Sequence, residues 1–386
     1  MRKDRQIALL ERLLAVVEQG RPEAHCTEGT IDVERYVSPA RFTAERDVLL
    51  RARPNVVGRA SDVATPGSFF THDAAGLPLL VTRDPSGTVR AMLNVCRHRG
   101  TRLVDAANGT AKAFVCRYHA WTYDLGGALG HVPMAQCFSN LDKASSGLVS
   151  LPCEVRHGFV WVTLTRDAPI DVASFLGAFD DDLAAFELDT HVVFARSRSV
   201  RAANWKLVMD AFLEGYHVKS LHQRTLARFF AEDVVVDTDG EHVRSVGARK
   251  NVTELATMPR ETWDVRASTT VFYNLMPNGI LVFHPETVSH IALFPRAVGE
   301  VEFVHTMLAP HPPKDEAQRV AWQRTWDLID GKVFAEEDLA IAESIQSTLA
   351  SGANTRFPLG SLERPIRFFH DGMDRILSAS LSERAR

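Results

Sequence analysis

Two short words carry the residue types best suited to metal chemistry: Cys96-Arg97-His98 and Cys116-Arg117-Tyr118-His119. Seventeen residues lie between them. Each word puts a cysteine and a histidine on one tight turn, so together they offer two thiolates and two imidazoles. That set suits a [2Fe–2S] cluster with one iron held by sulfur and the other by nitrogen. Exchanging two anionic thiolates for neutral imidazoles lifts the reduction potential into a band of roughly −150 to +300 mV. Such a cluster takes up electrons readily and passes them on. Structural zinc on two cysteines and two histidines is the competing chemistry, although a single residue between ligands departs from the C-x2–4-C spacing zinc favours. Four unrelated core residues are the third reading.

A second constellation lies further along. Asn204-Trp205-Lys206 leads through Asp210 to Glu214-Gly215-Tyr216-His217 and then His222. Glu214 and His217 are three apart and share a face if a helix continues through them. His217 and His222 are five apart, which a regular helix does not align, so a helix end or bulge near Val218 is required. Two histidines and a distant carboxylate form the facial triad of non-haem Fe(II) oxygenases, which leaves positions open for O2. On spacing alone, two histidines five apart are weak evidence, and a pair of partly buried or surface histidines is the favoured reading.

The words C-R-H-R-G and C-R-Y-H-A-W-T-Y-D, within about Pro54 to Thr165, resemble the Rieske domain of ring-hydroxylating oxygenase alpha subunits. Arg97, Arg117 and Trp121 share the likeness. Asn204-Trp205-Lys206 followed by Glu214, Tyr216, His217 and His222 resembles the mononuclear iron motif of the same family. The resemblance implies Cys96, His98, Cys116 and His119 as cluster ligands. It implies His217, His222 and Asp338 as ligands of Fe(2+). Asp338 is favoured because Glu337-Asp338 and Gln346 match E-D-x7-Q; Glu337 is the alternative, and a run of acids otherwise reads as a solvated face. In the family, a carboxylate three residues before the first iron histidine links a cluster histidine of one subunit to an iron histidine of the next. Here that position is Glu214 rather than aspartate, a departure seen among relatives acting on aliphatic amines as well as aromatics. Asp210, one turn earlier, is either structural or a catalytic residue bordering the iron.

The implied fold is α+β: an all-β Rieske domain plus a helix-grip, START-like antiparallel-sheet catalytic domain. The expected division is an N-terminal helical segment at 1–52, the Rieske domain at 53–166 and the mononuclear iron domain at 167–386. The implied function is a terminal oxygenase that uses O2 and external electrons to hydroxylate an aromatic or other small organic substrate, as in aromatic hydrocarbon catabolism. N- or O-demethylation is the alternative, and a cluster-only electron-transfer protein is the alternative of a different class. Phe212, Phe229, Phe272, Phe283 and Phe294 are candidates for an apolar pocket, with Asn274 and His290 as polar contacts; ordinary core packing is the competing reading. No G-x-G-x-x-G follows a strand and no P-loop is present. NAD(P)H is therefore expected to act through a separate reductase, perhaps with a ferredoxin. A head-to-tail homotrimer is implied by the resemblance only, and the length of 386 residues, short for alpha subunits that pair with a beta subunit, favours one without it.

Composition bounds these readings. The 386 residues are 45% hydrophobic and 24% charged, enough for two domains with sizeable cores. A net charge of −4 and a pI near 6.4 give no electrostatic case for nucleic acid. No run of about 18 apolar residues exists, so no membrane span is expected. Ile7–Val17 is interrupted by Glu11 and Arg12, which reads as an amphipathic helix rather than a signal peptide. Five cysteines without framework spacing fit a reducing cytoplasm, with Cys137 and Cys153 expected as buried small hydrophobes rather than a disulfide or extra ligands.

The elements that must position these residues follow from periodicity. Helices are expected at Ile7–Glu18 and at Ser38–Arg51, the second opened by Ser38-Pro39. Short apolar runs among glycine and proline turns then predict a small all-β domain, and Gly126-Gly127 predicts a hairpin beneath the second word. Beyond Asp171 the expectations are a helix at Val172–Leu183, a strand at His191–Val200 and a helix at Trp205–Tyr216. Four strands follow at Thr269–Tyr273, Ile280–Phe283, Ser289–Phe294 and Val301–Leu308. A long helix at Asp315–Leu349, with a bend at Gly331, and a last helix at Pro365–Ser380 complete the chain.

Overall fold

Apolar runs of five to seven residues between glycine and proline turns fold the first cysteine–histidine region into sheets. The computed structural model describes residues 1–20 and 28–384, and the chain divides into two units: Leu50–Phe175, and Met1–Leu49 together with Leu176–Arg386. Cys26 lies outside the described residues. In Leu50–Phe175 the largest sheet has five strands, in the order Ser150–Leu151, Val89–Leu93, Leu77–Arg83, Ser68–Ala74 and Asn108–Thr110. A second sheet joins Cys153–Arg156, Phe159–Thr163 and Pro54–Arg59. A third, small sheet joins Phe114–Val115, Thr122–Tyr123 and Leu129–His131. The last two strands form the hairpin expected at Gly126-Gly127. Gly127 has φ 89, and a Cβ there would lie 2.5 Å from Met92 Sδ, so the turn needs glycine on both counts. The unit extends to Phe175 because Val172 N–H donates to Glu154 at 2.9 Å and Phe175 packs edge-on to Trp161.

In the other unit, a seven-stranded antiparallel sheet faces the long helix that spans 316–348. The strand order is Val192–Arg201, Glu300–Ala309, Val288–Ala297, Gly279–Phe283, Thr269–Leu275, His242–Arg249 and Phe230–Asp239. Two of these, Phe230–Asp239 and His242–Arg249, are absent from the sequence expectation. Their acids and arginines mask the alternation, although Asp239-Gly240 is a recognisable hairpin turn. Strand residues Val282, Ile291, Leu293 and Phe303 share one core with Val333, Phe334, Leu339 and Ala342 of the helix.

The helices depart from simple periodicity where the chemistry lies. Val172–Leu183 is broken at Gly177. The helix expected to reach Tyr216 stops after Ala211, and a short turn of helix covers Val218–Leu221. The long helix runs as α over Glu316–Trp326, widens to π over Asp327–Asp338, and returns to α over Leu339–Thr348. The bend expected at Gly331 is thus a change of helix type, a feature often found at functional sites. Cys137 is exposed, contrary to expectation, because it ends a surface 3-10 turn at Ala135–Cys137. Cys153 is partly buried, and burial pushes its thiol up to about 12.

Candidate metal centres

The two cysteine–histidine words fold into matching turns. Cys96 O accepts from Gly100 N–H at 3.0 Å, and Cys96 N–H donates to Thr101 O at 2.8 Å. Cys116 O accepts from Ala120 N–H at 2.8 Å, and Cys116 N–H donates to Trp121 O at 2.8 Å. Gly100 and Ala120 occupy the same place in each turn, with φ 75 and φ 56. Both cysteines are buried at 2% exposure, while His119 is exposed and its ring lies 4.5 Å from that of His98. Trp121 stacks on His98 at 4.7 Å and 6°. Tyr123 OH lies 3.4 Å from Cys96 Sγ and accepts Arg97 N–H at 2.9 Å. Burial raises the Tyr123 pKa, with the Cys96 contact adding to it, so the hydroxyl keeps its proton for the sulfur.

The quartet fits a two-iron cluster. Both cysteines are buried and outside any disulfide, and His98 Nδ1 is buried with no hydrogen-bond partner. Among the described residues the quartet does not close on one point as a single-ion site does. A four-ligand zinc site requires that closure.

The only described group of three ligands that does close on one point is His217, His222 and Asp338, with ligand atoms within 4.8 Å of one another. Asp338 Oδ1 lies 3.6 Å from His217 Nε2 and 3.1 Å from His222 Nε2. That oxygen is buried and receives no hydrogen bond. Each opposite ring nitrogen is tied to a carboxylate. His217 Nδ1 donates to Glu214 Oε1 at 2.5 Å, and His222 Nδ1 donates to Glu337 Oε2 at 2.6 Å. Glu337 also accepts from Thr225 Oγ1 at 2.7 Å. Carboxylates on the far nitrogens of metal-ligating histidines fix the tautomer and ring orientation. Burial pulls the His222 pKa down, but Asp338 and Glu337 outweigh it and hold it above the usual imidazole value.

Local structure explains the motif residues. Asn204 caps the Trp205–Ala211 helix by accepting Lys206 N–H at 3.0 Å, and its Nδ2 reaches Tyr36 O and Val298 O. Gln346 Oε1 accepts Asn204 N–H at 2.8 Å, which ties the long helix to this one. Lys206 Nζ donates to Glu45 at 2.6 Å, both side chains fully buried. The helix then ends, His217 caps the next short turn and His222 closes it, so residues five apart face one point.

Beside the triad lies a cavity of about 300 Å³. Glu214, His217, His222 and Asp338 share its wall with Phe212, Phe229, Phe230, Phe272, Phe334 and Arg249. Phe212 and Phe272 are thus among the residues that line this cavity. Phe283 and Phe294 are not, because strand residues alternate between faces. Phe283 points to the other side of the sheet and packs on Phe186 at 4.1 Å. Phe294 is one residue out of phase with Leu293 and also misses the cavity. Asn274 lies further along the strand, its Nδ2 3.4 Å from Met209 Sδ, and His290 is buried away from the lining. Asp210 does not reach the cavity either. It accepts from Tyr36 OH at 2.6 Å and from His370 Nε2 at 3.0 Å. Spacing misses Tyr123, Arg249 and the tethering role of Glu337. The first sits in the W-T-Y-D word, the second on an unrecognised strand, and the third reads in sequence only as an alternative ligand.

Comparison with known proteins agrees with this geometry. Residues 53–152 match the Rieske [2Fe-2S] domain, and residues 186–379, half of the chain, match the ring hydroxylating alpha subunit catalytic domain. The glycine betaine monooxygenase oxygenase subunit of Chromohalobacter salexigens is 35% identical over 206 residues, 53% of this chain and 45% of that protein. The alpha subunit of biphenyl 2,3-dioxygenase of Rhodococcus jostii is 32% identical over 49% of this chain and 42% of its own length. The chain spans about half the length of these relatives. A crystal structure of a quaternary ammonium Rieske monooxygenase superposes with a TM-score of 0.79 at 23% identity, covering 91% of this chain and 96% of that one. By these two family matches, the chain belongs to the Rieske ring-hydroxylating oxygenase alpha subunits.

Proposed function

We propose that the chain is a terminal oxygenase that uses O2 and electrons from a separate reductase to hydroxylate a small organic compound in the cavity. The observation carrying this is the closure of His217, His222 and Asp338 on the wall of a largely apolar cavity. In this reading Cys96, His98, Cys116 and His119 hold the cluster. Iron bound by the triad supplies open coordination positions for O2. Glu214 and Glu337 hold the two imidazoles with Nε2 inward. Phe212, Phe229 and Phe272 exclude water and hold the substrate body.

Glu214 is proposed to join His217 to a cluster histidine of a neighbouring subunit in a head-to-tail trimer. Large exposed rings at both ends of that link support it: Tyr118 beside His119 is 62% exposed, and Tyr216 beside His217 is 68% exposed. Among the described residues no helix is long and apolar enough to cross a membrane. The proposed setting is the cytoplasm, where an NAD(P)H-dependent reductase operates.

The test is O2 uptake by the iron-replete protein with a surrogate reductase and NADH, across aromatic hydrocarbons, aryl ethers and quaternary amines. The expected result is oxygen consumption matched by a hydroxylated product. No substrate-dependent uptake across the panel, at full iron content, defeats the reading. Oxidative N-demethylation is the second reading, favoured by Glu214 and by the glycine betaine relative, and formaldehyde release from the quaternary amines identifies it.

A further inference from the structure

Arg249 differs from the arginines of the catalytic unit that are paired with acids. Arg244 pairs with Asp182 and Asp237, Arg296 with Glu302, and Arg41 with Glu45. Arg249 has no carboxylate partner among the described residues. Its one hydrogen bond is long, Nη1 to Thr270 Oγ1 at 3.4 Å. Its guanidinium lies 5.6 Å from the Phe229 ring centroid and 5.8 Å from that of Phe230.

Position gives this cation a use. Arg249 ends the strand His242–Arg249, and the pairing Gly247↔Thr270 puts it on the same sheet face as Thr270. The pairing Val271↔Phe283 sets Thr270 beside His284 on that face. All three line the cavity shared by the triad. The acids of that wall are engaged: Glu214 on His217, Asp338 between the two histidines. Arginine stays cationic at neutral pH. Burial lowers the Arg249 pKa and no nearby acid opposes it. His284 is held neutral, its pKa pushed down to about 3 by burial and by nearby cationic groups, so it adds no second positive charge beside Arg249.

We infer that Arg249 anchors an anionic group of the substrate, so the compound oxidised in this cavity carries a carboxylate. The inference rests on the oxygenase reading of the cavity. A carboxylate matches the guanidinium fork with two parallel charge-assisted hydrogen bonds. Partial burial strengthens that pairing relative to water. The phenyl walls suit the remainder of such a molecule, whether an aryl ring or a quaternary ammonium head.

Calorimetric titration of the iron-replete protein with two matched pairs tests this: glycine betaine against choline, and benzoate against benzamide. In at least one pair the carboxylate is expected to bind roughly 10- to 100-fold tighter than its neutral partner. Arg249→Gln is expected to abolish that preference and Arg249→Lys to keep part of it, with the cluster spectrum and iron content unchanged. Equal or tighter binding of the neutral compound in both pairs overturns the inference. So does a preference that survives Arg249→Gln, or failure of both carboxylates to bind. Because binding is read without turnover, a carboxylate preference with no O2 uptake would count against the oxygenase reading and leave the anchor standing.

Discussion

His222 is held from both sides of its ring, with Nε2 facing Asp338 and Nδ1 donating to Glu337. The family motif identifies the first contact; the second needs the helix that brings Glu337 alongside. This ring belongs to a different unit from Cys96 and His119, so the two centres should be separable by mutation. His222→Ala is expected to lower iron by about one atom per chain, from about three, and to leave the visible spectrum of the cluster intact. Loss of both metals from a folded variant would show that the assignment of two separate sites is wrong. Conversely, Cys96→Ser or His119→Ala should remove the visible absorption, and an unchanged spectrum and iron count would defeat the cluster assignment. The cysteine–histidine words are readable in sequence because a metal-binding turn packs its ligands close together along the chain. Arg249 and Glu337 are not, because their roles come from pairing across strands and from helix packing.

At the scale of elements, most of the central sheet and every helix of ten or more residues are visible as periodicity. Their ends are not. The helix from Trp205 stops after Ala211 although the apolar pattern runs on through Phe212 and Leu213. What the motif residues Asn204 and Lys206 do becomes clear only from distant partners, Gln346, Tyr36 and Glu45. The Lys206–Glu45 pair is fully buried, and removing one partner of such a pair is strongly destabilising. Lys206→Met is expected to destabilise the catalytic unit by about 3 kcal/mol, somewhat moderated because Arg41 still contacts Glu45 at 2.8 Å. Lys206→Met with Glu45→Gln should recover most of that loss. Urea unfolding followed by fluorescence measures both, and a double variant no more stable than the single one would refute the buried-charge explanation.

For the whole molecule, the question is how an electron leaves one centre for the other. Glu214 supplies half of the proposed link, its Oε1 2.5 Å from His217 Nδ1. A carboxylate accepts from two imidazoles at once, whereas an amide turns one acceptor into a donor. Glu214→Gln is therefore expected to retain both metals and reduction of the cluster by the reductase. Reoxidation by O2 in the presence of substrate should slow at least roughly 10- to 100-fold in stopped-flow traces. Near-normal turnover in that variant would reduce Glu214 to a helix-end acid. A fully active monomer, seen by sedimentation, would rule out the route between subunits.

The π segment Asp327–Asp338 ends on the very residue whose carboxylate completes the triad. Because its turns are wider than those of the α-helices on either side, it sets the angular phase between them. In a regular helix each residue advances the azimuth by about 100°. Gly331 is an open position, with nothing within 4 Å of where a Cβ would sit. Deleting one residue there would swing Asp338 off the histidines while leaving the helix largely intact. The iron site is thus encoded partly as a rotation, so the length of this segment matters to the metal more than the identity of its exposed side chains.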